Sequence, residues 1–403
     1  MTAQKLLPLL LVLLAPALHA QEKSFHLAVG DPARKDKEAA VVLDGITDTR
    51  TGEVIAPAEL PKRLAGVRLL LVGESHTDMD YHRCELRVVQ ELTRSGRPVA
   101  LGLEMYPYTE QRFLDDWVDG KLTEEAFLQA SRWYENWGYN WLYYRDIFLF
   151  ARDHKLRIFA VNAPRDVVTA VRKRGFKNLT PEEAAHIPAD IDTSSPEHRI
   201  LFKSFFESGG DSLHSSMTDA QVDSMIAAQS TWDATMAFNS VKALKEHGGP
   251  DTVMVVLVGS GHVVYGLGIQ RQAARHFDGK IATVVPVNIR DDEGHDLKTV
   301  QASYADFVWG LPTQTDPIYP SLGLSSSPVE GEKALKVILV SEKTPAEKAG
   351  VQVGDVIVSF DGAPVPDKET LNRLVAAKRW GDEVVLVIKR GTETKTLRVT
   401  LRR

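Results

Sequence analysis

Between residues 60 and 300 short apolar runs alternate with amphipathic stretches. The runs are "VRLLLVG", "PVALGLEM", "LRIFAVNAP", "TVMVVLVGSGH" and "IATVVPVNI". They are short and continuous rather than alternating, as strands buried on both faces are. Between the first two, "DYHRCELRVVQELTRSG" places Leu86, Val89 and Leu92 on one helical face and stops at Gly96. Amphipathic segments at 109–131 and 219–249 add more helix. Strands alternating with helices predict an α/β fold, a mostly parallel sheet covered by helices. Right-handed crossovers then bring the strands' carboxyl ends to one edge, where such folds bind ligands.

Flanking this block, 21–59 is polar, with one short strand expected at "AAVVLDG", and reads as an N-terminal extension. Residues 301–318 lead into a Pro- and Thr-rich stretch that predicts a linker. From 319 to 403 the alternating strands "KALKVILVSE" and "VVLVIKRGTETKTLRVTLRR" accompany one helix, "DKETLNRLVAAKR". Asp367 is its N-cap, and Leu371, Leu374 and Val375 share a face. This predicts a second, smaller domain of strands plus helix.

Composition adds three constraints. A net charge of -6 over 403 residues, with no basic run, argues against nucleic acid as a partner. Lys5, the apolar run "LLPLLLVLLAPAL" and Ala20 before Gln21 read as a cleaved export signal over 1–20. That run falls short of the ~20 apolar residues that span a bilayer. A periplasmic or secreted protein without a transmembrane span is expected. Cys84 is the single cysteine, so no internal disulfide forms and no lipid-anchor cysteine follows the signal. It lies in an apolar helical pattern, as a buried, inert thiol would.

The candidate chemistry sits at the ends of the predicted strands. "LLLVGESH" ends in Glu74 and His76, "VALGLEMY" in Glu104 and Tyr106, and "VMVVLVGSGH" in His262, while "LRIFAVNAPRD" ends in Asn162, Arg165 and Asp166. A histidine after one strand is most often a hydrogen-bonded structural residue. Repetition at neighbouring strand ends points instead to a shared site on one rim. Asp78 reads as the N-cap of the next helix and Asp80 as its first turn.

Two resemblances follow from quoted motifs. The tail, through "SLGL", "AGVQVGDVIVSFDG" and the helix, resembles a PDZ domain of the bacterial protease-associated kind. This implies capture of a peptide or protein C-terminus by β-augmentation. Leu322, Gly323 and Leu324 would bind the carboxylate through backbone N–H groups, and Leu371 and Val375 would wall the side-chain pocket. Over about 60–290, "GESHTDMDYH", "RPVALGLEMY", "GYNWLYYRDI", "VNAPRDVV", "AQSTWDATMA" and "LVGSGHVVYGLGI" together resemble the ChaN family. These are haem-binding, iron-regulated bacterial proteins related to the Tiki/TraB proteases and erythromycin esterases. The resemblance implies export, a role in iron acquisition, and haem held through a tyrosinate by a homodimer. Tyr81 stands where relatives carry a histidine.

A porphyrin needs aromatic walls, an axial ligand and cations for its propionates. Tyr81, His82, Tyr106, Tyr144, Arg145, Asn162, Arg165 and Tyr265 are the candidates for such a site. Trp133, Trp137 and Trp141 recur at helical spacing and read as core. The alternative is a metal-dependent hydrolase of the peptidase type. Glu74, His76, Glu104 and His262 form a mixed nitrogen and oxygen set suited to Zn, Mn or Co, with a carboxylate as general base. A third reading is a scaffold with an inert site, working through its PDZ tail.

Overall fold

The structure is a computed structural model that describes residues 24–207, 218–291 and 294–402. The export signal expected over 1–20 lies outside the described residues. The chain divides into two compact units. The described residues of one fall within 24–131 and 143–315; those of the other fall within 132–142 and 316–402.

In the first unit the described residues form a small antiparallel pair, Glu38–Ala40 with Thr299–Gln301, and an eight-stranded sheet. Its strands are β1 (Ile46–Asp48), β2 (Val54–Ile55), β3 (Val67–Glu74), β4 (Val99–Pro107), β5 (Arg157–Asn162), β6 (Val253–Gly259), β7 (Lys280–Asn288) and β8 (Phe307–Leu311). The lateral order is β2-β1-β8-β7-β3-β6-β4-β5. From β8 to β5 every neighbouring pair is parallel. β1 and β2 complete one side in antiparallel pairing. β3 and β6 are buried along almost their whole length. Helices cover such strands on both faces, so both sets of side chains are apolar. The five apolar runs of the sequence are β3 to β7.

The helices α1 (Met79–Arg94), α2 (Arg145–Asp153), α3 (Arg165–Arg174), α4 (Pro196–Glu207) and α5 (Asp219–His247) supply most of that cover. Asp78 caps α1 by accepting the Asp80 N–H at 2.9 Å. Cys84, on α1, is buried. The 29-residue α5 enters the core, where Ala228 to Ala237 are buried with the exception of Trp232.

Three expectations need correction. The 21–59 extension is part of the domain, because it supplies β1 and β2 to the sheet. The 301–318 stretch is not wholly a linker, since "FVWGL" within it is the fully buried strand β8. Neighbouring polar and proline residues masked this short run. The Trp133–Trp141 stripe is not one helix. The helix Trp133–Asn136 ends before Gly138, whose φ of 89° leaves the helical region. Trp133 and Trp141 are nevertheless buried, edge to face, with ring centroids 4.9 Å apart.

The second unit is an antiparallel sheet of β9 (Leu324–Pro328), β10 (Leu335–Val340), β11 (Val356–Phe360), β12 (Ala363–Pro364), β13 (Glu383–Arg390) and β14 (Glu393–Thr400), with helix α6 (Lys368–Ala376). Its order is β9-β10-β11-β13-β14, with β12 paired to β11. Leu322, Val337, Ile357, Leu371 and Leu386 belong to its core. Asp367 caps α6 through the Thr370 N–H at 2.8 Å. The Arg132–Leu142 segment packs on α6. Asn372 Nδ2 donates to Tyr134 O (2.8 Å), and the Glu135 N–H donates to Glu369 (2.7 Å).

Gly323 precedes the edge strand β9 with φ of 73°, and a Cβ there would lie 2.2 Å from the Thr344 Cβ. Gly323→Ala is therefore expected to cost about 1–3 kcal/mol. Faster amide hydrogen exchange across β9 and β10 is the measurement, and unchanged protection would refute it.

Candidate functional site

The parallel order β3-β6-β4-β5 brings the four predicted strand ends side by side. Glu74 closes β3, and the lack of a side chain at Gly73 lets Ser260 pack closely against the strand: a Cβ on Gly73 would meet Ser260 Oγ at 2.8 Å. Glu74 is buried at 3 % exposure. Its Oε1 lies 2.5 Å from His76 Nδ1 and accepts the Tyr144 hydroxyl at 3.2 Å. Its Oε2 faces His82 Nε2 at 3.5 Å. The other His82 nitrogen meets Glu85 at 3.0 Å.

The second half of the site is built on β4, β6 and α5. Glu104 accepts the Gly259 N–H at 2.7 Å, and its other oxygen lies 3.4 Å from His262 Nε2. His262 Nδ1 lies 2.6 Å from Asp233 and 2.9 Å from Gln229 Nε2. Beyond Asp233 lies His198 Nε2, at 3.8 Å. A Cβ on Gly259 would come 3.2 Å from His76 and 3.6 Å from Glu104, so the two halves adjoin at this glycine. Carboxylates and imidazoles thus alternate across the carboxyl edge of the sheet.

Burial by itself disfavours every charge in this array. For His262 that penalty is outweighed by Glu104 and Asp233, which raise it to about 10. Burial pushes Glu104 upward, but His262 and His76 prevail and hold it at about 2. His76 and His82 are also raised, because Glu74 overcomes the effect of burial. Glu85 goes the other way: burial outweighs His82 and lifts it to about 7. Glu104 and His262 thus form an ion pair that stays charged near neutrality, while Glu85 lies at the other end of the array.

The remaining predicted residues divide sharply. Asn162 joins the site, donating to the Glu104 carbonyl at 2.9 Å. Arg165 is exposed at the start of α3, on the same edge. Arg145 turns away and donates to Glu124 at 2.9 Å. Tyr81, Tyr106, Tyr144 and Tyr265 are at most 3 % exposed. Tyr106 donates to Ser131, and Tyr265 donates to the Ser24 carbonyl, away from the array. Burial also pushes the Tyr265 phenol up, against tyrosinate formation. In the tail, Leu322 and Leu371 are core residues while Leu324 and Val375 are half-buried around β9 and α6.

The expectation of a Zn, Mn or Co site on Glu74, His76, Glu104 and His262 finds no support. Among the described residues no group of three or more His, Cys, Asp or Glu is arranged to hold a metal ion. The imidazole nitrogens of His82 and His262 face carboxylates pairwise instead of sharing a centre. Glu85, Asp233, Gln229 and His198 were missed. Gln229 and Asp233 sit four apart in the buried middle of α5, and His82 and Glu85 sit three apart on α1. A polar pair on a face otherwise apolar was the available signal.

A family model described as "Haem-binding uptake, Tiki superfamily, ChaN" matches residues 60–272, more than half of the chain. The chain belongs to the ChaN family. A PDZ domain model matches residues 320–401 of this ChaN-family protein. Among solved structures it is similar to ChaN of Campylobacter jejuni, described with cofacial haem, at 19% identity and TM-score 0.49, covering 66% of this chain and 95% of that one. Curated relatives include probable periplasmic serine endoproteases, DegP-like. That of Pseudomonas fulva is 45% identical over 65 residues, and that of Rhizobium meliloti 37% identical over 87. These matches cover 16% and 22% of this chain. The chain spans only 14% and 16% of those two relatives.

Removing His262 would leave Glu104 and Asp233 buried without a cation. His262→Ala is expected to destabilise the fold by about 3–5 kcal/mol. The folded His262 pKa of about 10 lies above its unfolded value, so its stabilisation is complete below about pH 6.5 and drains as pH rises towards 10. Glu104, held at about 2, stabilises fully above about pH 4.3 and less as pH falls. The thermal midpoint should therefore peak between about pH 4.5 and 6.5. His262→Gln should make the alkaline decline shallower; an identical pH profile would exclude this account.

Proposed function

We propose that this ChaN-family protein binds haem at the carboxyl edge of its sheet, within the bacterial envelope, as part of iron acquisition. The observation that carries this reading is the Glu74–His76 pair. Alone among the array's imidazoles His76 reaches the surface, with its side chain 18% exposed against 2–6% for His82, His198 and His262. A histidine that ligates a metal usually gives its other ring nitrogen to a carboxylate, which sets the tautomer and ring orientation and raises basicity. Glu74 stands at Nδ1 in that role.

The residues present fit the group in this way. His76 would hold the iron, Glu74 and Tyr144 would fix the imidazole from behind, and the exposed Arg165 would meet a propionate. Haem supplies the iron; the chain's part is binding and orientation. The buried tyrosines would have to leave the core to act as ligands, which makes the histidine the better choice here. The sequence over 1–20, which reads as an export signal, and the DegP-like periplasmic relatives support an envelope location, and the PDZ domain supports capture of a protein C-terminus.

Hemin titrated into the purified chain is expected to give a saturable Soret shift. His76→Ala should abolish it, and Glu74→Gln should weaken affinity about 10–100-fold, whereas Tyr265→Phe should leave it intact. No spectral response in the wild type would sink the haem reading. Loss on Tyr144→Phe with retention in His76→Ala would return the ligand to a tyrosinate.

A further inference from the structure

At the opposite, amino edge of the same sheet lies a cavity of about 810 Å³, open to solvent. Lys62, Arg68, Arg94 and Arg97 line it, against two carboxylates, Glu91 and Asp251. This is a local surplus of positive charge in a chain whose net charge is -6. Glu91 is already shared, at 2.5 Å from Arg94 and 2.7 Å from Arg87.

Arg68 and Arg97 are held differently. Arg68 donates from Nε to Thr252 O (2.8 Å) and from Nη2 to Gly249 O (2.9 Å). Arg97 donates to Leu64 O (2.9 Å) and Val67 O (2.5 Å). Among the described residues, neither guanidinium, nor Lys62, has a carboxylate within the 4.0 Å of an ion pair. Main-chain carbonyls fix the two planes in place, and no carboxylate forms a close ion pair with either. The guanidinia also sense each other: burial lowers the Arg97 pKa, Asp251 opposes this, and Arg68 lowers it further. Each fork keeps further N–H donors beyond those it spends on carbonyls. Stapling the strand ends requires the hydrogen bonds alone. A fixed pair of like-charged forks beside a lysine, in an open cavity, matches the oxygens of a phosphate.

We propose that this cavity binds a phosphate-bearing anion, held by Arg68, Arg97 and Lys62. The chemistry is shared by a soluble phosphate ester or pyrophosphate and by a lipid headgroup. The site is separate from the haem edge and stands independently of that reading.

The test is calorimetric titration of the full chain with inorganic pyrophosphate at low salt. One saturable site is expected. Ala65→Glu, at an exposed cavity position, adds an opposing carboxylate without removing a contact, and should weaken binding at least about tenfold. Arg68→Gln should do the same, and Arg68→Lys should weaken it less. If Arg68→Gln fails to fold, Ala65→Glu alone decides. Absence of saturable heat, or equal affinity in Ala65→Glu, overturns the proposal, as does a response that sodium sulfate at equal ionic strength reproduces. Sedimentation with phosphatidylcholine vesicles containing phosphatidic acid separates the sources. Co-sedimentation displaced by pyrophosphate supports a headgroup; binding of pyrophosphate without co-sedimentation supports a soluble phosphate compound.

Discussion

A charge taken out of water must find an opposite charge, and the candidate site of this protein is organised by that requirement. Parallel strands deliver Glu74 and Glu104 to one edge inside a helical cover, at 3 % and 8 % exposure. Isolated, such carboxylates would take up protons. Each instead faces an imidazole, and the imidazoles in turn face Glu85 and Asp233 from the covering helices. The helices are thereby committed in position as well as in composition. α5 must place Asp233 beneath β6, and α1 must begin so that His82 falls beside Glu74.

The same pairing explains why the array offers a single group to solvent. The buried imidazoles of His82 and His262 each turn both ring nitrogens to carboxylates. At the rim, His76 meets Glu74 through Nδ1 and is the most exposed imidazole of the array. On the haem reading proposed above, the network would support one ligand nitrogen.

Much of this was legible in the chain. Continuous apolar runs marked β3 to β7, because runs this short between helical patterns are the length of buried strands and too short for buried helices. The convergence of Glu74, Glu104, Asn162 and His262 followed from parallel order alone. What escaped were β1, β2 and β8, which are two to five residues long and belong to the sheet through long-range pairing. Asp233 and Glu85 escaped for a related reason: a buried acid on a helix is recognisable only once the strand end it faces is known. The tyrosines misled because proximity in sequence to a rim says nothing about which way a ring points. Local crowding sends Tyr106 to Ser131 and Tyr265 to Ser24.

The strand lengths carry a further consequence. On the β2 side the central sheet ends in a strand of two residues running against its neighbour, a stub too short to template another chain. In the tail, by contrast, the outer strands β9 and β14 are five and eight residues long. On that side of the central sheet, growth by strand addition is closed off, while the tail keeps outer edges on which it can proceed. The strand edges most open to pairing are thereby confined to the PDZ module, whose fold takes up an extended peptide as an added strand.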